Sequence, residues 1–171
     1  MEALRYPLGK FKFPKSHTKK ELANWIRGIK EFPGTFRTQV DRMTPADLDT
    51  PYRAGGWTGR QVIHHVPDSH LNAYCRFKLT LTEEKPSIKP YLEHQWATLP
   101  DTGKTDVSVS MDLLEALHVR WLALLENLSN QEWNRAYVHP EYGNEWPLWS
   151  VAALYAWHGE HHLAHLKLIR P

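Results

Sequence analysis

The chain is short of sulfur, of long apolar runs and of charge of one sign, and each shortage excludes something. There is one cysteine, Cys75, so no disulfide can form within the chain. That fits a reducing cytoplasm, and a cytoplasmic protein is the expectation. No stretch is apolar for long enough to span a bilayer, and the opening residues Met1 to Tyr6 lack the apolar core of a secretion signal. No membrane partner is expected. The net charge of +2 gives no electrostatic case for nucleic acid. The basic run Lys10, Lys12, Lys15, Lys19 and Lys20 sits near one terminus and reads as a solvated tail. No Gly-x-Ser-x-Gly, phosphate loop, dinucleotide fingerprint, internal repeat or low-complexity tract occurs.

What is there is histidine and tryptophan. The 171 residues suit one domain, 1–171, with a core large enough to fold alone. The eight tryptophans point to bulky packing or an aromatic-walled pocket. Four histidines fall in the stretch from Trp157 to His165. Residues four apart stack on one face of a helix, so His158/His162 and His161/His165 are both candidate metal-gripping pairs. Neutral imidazoles suit zinc, nickel, copper or iron.

Apolar periodicity predicts four long helices. The first spans about 18–43 and is interrupted by Pro33-Gly34, which predicts a kink or two consecutive helices. The second follows the capping box Thr58-Gly59-Arg60-Gln61 and runs to about Thr82. Pro67 lies inside it and predicts a bend near His64 and His65. The third spans about Ser110 to Leu128, and the fourth about Leu148 to Ile169. Residues 1–16 read as an extended arm, residues 83–108 as a long connection with a short helix near Glu93 to Leu99. Tyr142-Gly143-Asn144 is a turn signal for a small hairpin. These elements argue for an all-α four-helix bundle, a fold that builds metal sites from side chains on facing helices.

On the fourth helix His158, His162 and His165 continue the apolar stripe, with His161 to one side. Inward imidazoles need partners, and a metal would satisfy several at once. The second helix carries another cluster, His64, His65 and His70. Spacing alone does not choose between His65 and His70. Asp68 has two readings, an orienting or water-binding carboxylate and a solvent-facing helix residue. Glu115-x-x-His118 has no second copy, so a di-iron site is not expected. Cys75 reads as a buried, inert thiol, and His17, His94 and His139 as surface loop residues.

The stretch Leu48 to Thr58 (Leu-Asp-Thr-Pro-Tyr-Arg-Ala-Gly-Gly-Trp-Thr), then Arg60-Gln61-Val62, His64-His65, Asp68-Ser69-His70, Arg76-Phe77-Lys78-Leu79, Leu81-Thr82-Glu83-Glu84, Arg120-Trp121, His139-Pro140, Trp157-His158 and His161 to His165 resembles the DinB-like superfamily. More narrowly it resembles the YfiT subgroup of Bacillus-type bacteria. The opening Tyr6-Pro7-Leu8-Gly9 belongs to the same pattern. The resemblance covers nearly the whole chain. It implies an up-down-down-up bundle, a homodimer, and one divalent transition metal, zinc or nickel, held by His65, His158 and His162. Pro67 and Gly159-Glu160 depart from the pattern. Members of the subgroup are labelled metal-dependent hydrolases, and the subgroup also resembles bacillithiol S-transferases, with mycothiol or glutathione serving relatives. Three neutral ligands leave an open position for a water or a thiol. The resulting expectation is transfer of a small bacillithiol-like thiol to an electrophile. The alternatives are hydrolysis and a non-catalytic metal-stabilised bundle. Arg76 and Arg120 are the expected pocket cations for an anionic thiol.

Overall fold

The structure is a computed structural model that describes residues 2–171. In chain order its elements are α1 (Glu2–Arg5), α2 (Lys19–Val40), α3 (Pro45–Asp49), α4 (Gly59–Thr82), α5 (Glu93–Trp96), α6 (Pro100–Lys104), α7 (Val107–Leu125), α8 (Asn130–Trp133), the strands β1 (Ala136–His139) and β2 (Asn144–Pro147), and α9 (Leu148–Ile169). The four long helices α2, α4, α7 and α9 form the expected bundle. No helix is long and apolar enough to cross a membrane among the described residues.

Side-chain contacts fix the direction of each helix. Gly28 of α2 faces Ala156 of α9, Phe32 faces Gly159, and Gln39 bonds the Arg170 carbonyl, so both numbers rise together and the helices are parallel. His64 and His70 of α4 bond Ser110 and His118 of α7, which makes that pair parallel too. Lys30 pairs with Glu126, and Arg37 with Asp112 and Glu115, so α2 and α7 run antiparallel. The connectivity is therefore up-down-down-up, with α2 beside α9 and α7, and α4 beside the same two.

Local chemistry explains the element ends. Thr58 accepts the backbone N–H of Gln61, and the Gln61 side chain accepts that of Thr58, which starts α4 at the capping box. Thr18 and Glu21 do the same for α2. Gly143 has φ +64°, a conformation that costs glycine nothing, and it turns β1 back on β2. The expected extended arm is in part a helix, since α1 packs on α9.

Neither internal proline breaks its helix: α2 runs through Pro33 and α4 through Pro67 without interruption. Of the two outcomes expected at Pro33-Gly34, a kink or two consecutive helices, the second does not occur. A proline removes one ladder bond. Around Pro67 every residue from Val62 to Val66 is buried against the bundle, so packing keeps the helix continuous across the proline.

The core consists of two apolar clusters. One contains Ile29, Ala73, Phe77, Trp121, Leu125 and Tyr155. The other contains Phe32, Phe36, Val66, Met111, Leu114 and Leu163. On α4, α7 and α9 inward histidines fall between the two sets: buried His70 between Val66 and Ala73, buried His118 between Leu114 and Trp121, and half-buried His158 and buried His162 between Tyr155 and Leu163. The bundle thus carries a polar layer across its middle.

Gly159 is where α2 and α9 come closest at that layer. A Cβ there would lie 2.8 Å from the ring of Phe32, which is itself buried against Phe36, His70 and His118. The departure from pattern at Gly159 thus serves close helix packing. Gly159→Ala is expected to destabilise by about 1–3 kcal/mol through overpacking, outweighing the ~1 kcal/mol it gains in helix propensity. Urea unfolding of the variant against the parent measures the difference, and a more stable variant would contradict this packing account.

Candidate metal centre

His65, His158 and His162 each offer a ring nitrogen within 4.8 Å of the other two. One comes from α4 and two from successive turns of α9. Their rings meet at centroid distances of 5.5 Å (His65–His158), 4.9 Å (His65–His162) and 4.5 Å (His158–His162). Burial holds all three below the ordinary imidazole range, His65 down to about 3, with neighbouring histidines adding to the effect. They are neutral at physiological pH, the state in which an imidazole can be a ligand.

The bonds behind two of the rings decide which nitrogen carries the proton. The Ile29 carbonyl can only accept, so His118 Nδ1–H donates to it at 2.9 Å. His118 Nε2 is then an acceptor and takes the proton of His70 Nδ1 at 2.8 Å. His70 Nε2 in turn accepts from His158 Nδ1–H at 3.2 Å. On the other side the Arg5 carbonyl accepts from His165 Nε2–H at 3.1 Å, and His165 Nδ1 accepts from His162 Nδ1–H at 3.3 Å. Both chains end on a main-chain carbonyl, and both leave Nε2 of His158 and His162 as a bare lone pair. The one polar neighbour at this nitrogen is the Ser69 hydroxyl, 3.4 Å from His158 Nε2. An outer partner that fixes the tautomer of a ligand in this way is common at metal sites. The donor set and its tautomers therefore fit a transition metal.

The cluster opens on a cavity of about 440 Å³ walled by Tyr52, Trp57, Trp157, Arg5, Arg53 and His161. Arg53 donates to the Ala54 carbonyl, while its buried Nε has no partner. A second cavity of about 490 Å³ shares His158 as a wall and contains Arg76.

The geometry resolves several expectations. Spacing leaves His65 and His70 open: His65 joins the cluster and His70 stands behind it. The His161/His165 pair does not join, because both His165 nitrogens are already engaged and His161 stacks on Trp157 with ring centroids 4.4 Å apart. Arg76 is buried and lines the second cavity, whereas Arg120 is exposed and lies over the ring of Tyr74, apart from the cluster. The carboxyl of Asp68 is raised to about 6 by burial and by the charge of Asp101. Among the described residues it bonds no imidazole. Cys75 is exposed, which corrects the expected buried thiol: Ala73 and Phe77 face the core, and position 75 points the other way. His139 is buried, 6% exposed, which corrects its reading as a surface residue; the hairpin stacks its ring on Trp146 at 4.6 Å. His17 is half-buried against Trp149, and His94 is exposed. His118 has no assigned role in the sequence reading, although Leu114 and Trp121 one turn either side place it on the inward stripe.

The model of the DinB superfamily matches residues 29–166, most of the chain and all three histidines. The chain belongs to the DinB superfamily. Relatives are similar over nearly their full length. A Bacillus cereus protein named "Putative metal-dependent hydrolase" is 48% identical over 99% of this chain and 97% of its own. A Bacillus licheniformis protein of the same designation is 45% identical over the same shares. Among solved structures, YfiT from Bacillus subtilis, described as a probable metal-dependent hydrolase with an unusual four-helix bundle topology, superposes with a TM-score of 0.95 at 46% identity, over 98% of this chain and 95% of that one. A mycothiol-dependent maleylpyruvate isomerase shares the DinB-type fold at TM-score 0.68 and 16% identity, over 85% of this chain and 60% of its own.

Proposed function

We propose that this DinB-superfamily protein is a metal-dependent enzyme that transfers a small cellular thiol, of the bacillithiol kind, to electrophilic acceptors. The observation that carries the reading is a cluster of three neutral imidazoles opening on a cation-bearing cavity with no cysteine thiol beside it. His65, His158 and His162 would hold one divalent transition metal, zinc or nickel. When bound, the ion supplies Lewis acidity that lowers the pKa of a thiol or water at its open position.

The rest of the work falls to the chain. Arg5 and Arg53 bring positive charge to the cavity, where an anionic thiol would be drawn in and oriented. Trp57, Tyr52 and Trp157 wall it with apolar surface and exclude water from the reacting sulfur. In the transfer, sulfur bonds to the acceptor carbon, the leaving group departs with its electron pair, and the thiol proton passes to solvent. Cys75, exposed on the outer face of α4, takes no part.

A second reading, hydrolysis, is favoured by the names of the Bacillus relatives. One assay separates the two. Metal-loaded protein is given bacillithiol with a model electrophile, and separately an ester and amide panel, each with and without chelator. Chelation is expected to cost about 10³-fold or more in conjugation rate, the scale of a Lewis acid worth several kcal/mol. Cys75→Ser is expected to keep full activity. Conjugation at the uncatalysed rate, beside metal-dependent ester or amide cleavage, replaces transfer with hydrolysis.

A further inference from the structure

The second cavity holds a buried positive charge that no carboxylate pairs with among the described residues. Arg76 is 9% exposed; it donates from Nη2 to the Lys89 carbonyl at 3.1 Å, and the neutral hydroxyls of Tyr137 and Tyr155 lie beside its guanidinium. A buried guanidinium offers five N–H donors and is costly to leave unpaired. Two carboxylates do line the cavity, Glu93 and Glu141, but both are exposed and neither bridges to Arg76.

Beside Arg76 stands a second unsatisfied group. Nδ1 of His139 is buried without a partner. Burial first, and the Arg76 charge second, hold that ring below the ordinary imidazole range, so it is neutral, and Nδ1 donates in the tautomer that carries its proton there. Buried polar atoms in native proteins are usually met by a protein group, a water, an ion or a ligand. The Tyr155 hydroxyl is spoken for, donating to the Ser69 carbonyl at 3.2 Å. The polar groups left over in this cavity thus call for an acceptor carrying negative charge.

Position matters as much as charge. Arg76 and Ser69 lie seven residues apart on one face of α4, roughly 10 Å along its axis. Ser69 is the residue beside His158, and His158 is a wall common to both cavities. An elongated molecule anchored at Arg76 would end at the three-histidine cluster.

We infer that the cavity lined by Arg76, His139, Tyr155, Ser69 and His158 is a carboxylate-binding subsite, which holds a substrate by its carboxylate and presents its other end to the histidine cluster. This deepens the proposed function, and rests on it in taking the cluster as the reacting centre. The carboxylate belongs either to the thiol or to the acceptor.

Two measurements on the full-length, metal-loaded protein test the subsite. In the first, 4-methylbenzoate and its uncharged counterpart 4-methylbenzamide are titrated into ¹⁵N-arginine-labelled protein, and the Nε–H resonances are followed. The expected result is saturable movement of the Arg76 signal by the benzoate alone, with affinity lost at least about tenfold in Arg76→Met, a change of about 1.4 kcal/mol. Equal effects of the two probes, or a benzoate response confined to Arg5 and Arg53, would overturn the proposal. Should Arg76→Met fail to fold, the wild-type titration together with Arg76→Lys, which keeps charge and loses the fork, decides the question equally well. In the second, conjugation is compared for matched pairs: 4-(chloromethyl)benzoate against its methyl ester, and N-acetylcysteine against its amide. The pair that shows a carboxylate preference of tenfold or more in kcat/KM names the partner that uses the subsite, and Arg76→Met should erase that preference. Benzoate binding at Arg76 without any conjugation would count against thiol transfer and leave the subsite standing.

Discussion

Replacing His158 and His162 together by alanine is expected to empty the metal centre. Two of the three imidazoles converge from successive turns of α9, and their loss leaves His65 alone. A single neutral imidazole does not retain an ion that three were needed to hold. Elemental analysis should fall from about one ion per chain to less than about a tenth. His161→Ala, which alters a neighbouring ring stacked on Trp157, should keep its metal. Full occupancy in the double variant would sink the ligand assignment, and loss of metal in His161→Ala would point to the other pair.

Mild acid is expected to unfold the protein. His118 lies behind the three-histidine cluster, and burial depresses it to about 4, against the opposing effect of its bond to Ile29. A base whose folded pKa lies below its unfolded value binds its proton first in the unfolded chain. Its contribution to stability is therefore whole above about pH 6.5 and is lost as pH falls from there toward 4. For His118 alone the loss is about 2 kcal/mol at pH 5. His70, His65, His161 and His162 shift in the same direction, burial again coming first. Their contributions are lost over the same window and in the same direction. Urea unfolding of metal-free protein at pH 8, 6 and 5 should show stability falling steeply over that range. A flat profile would mean that the histidine layer is not buried neutral.

Much of the architecture is legible in periodicity, because the four long helices carry clean stripes and Thr58-x-x-Gln61 announces its own cap. The start of α9 at Leu148 and its end at Ile169 follow from one unbroken apolar face. Long-range geometry is harder. Residues 65 and 70 both lie close to the inward face of α4, and the choice between them depends on which level of α9 sits opposite. Cys75 and His139 mislead for related reasons. A single small residue says little about its face, and a loop histidine becomes buried only when a hairpin folds its partner Trp146 over it. Pro67 signals a bend that does not break the helix, since one missing ladder bond is small against the packing on both sides. The chains from His158 to Ile29 and from His162 to Arg5 join residues about 90 to 160 positions apart, and no local pattern encodes such pairings.

The centre draws on the fifth residue of the chain through the Arg5 carbonyl, and on α9 at its far end. This sets an order of assembly during synthesis. His65 leaves the ribosome about 100 residues before His165, on the order of 5–20 s at ordinary elongation rates. For that interval the nascent chain has a lone imidazole on α4 and no place for α1 to rest. On the proposed ligand set, metal capture would be a late event, open only once α9 has been made, and a chain that stalls before α9 would be released without an ion.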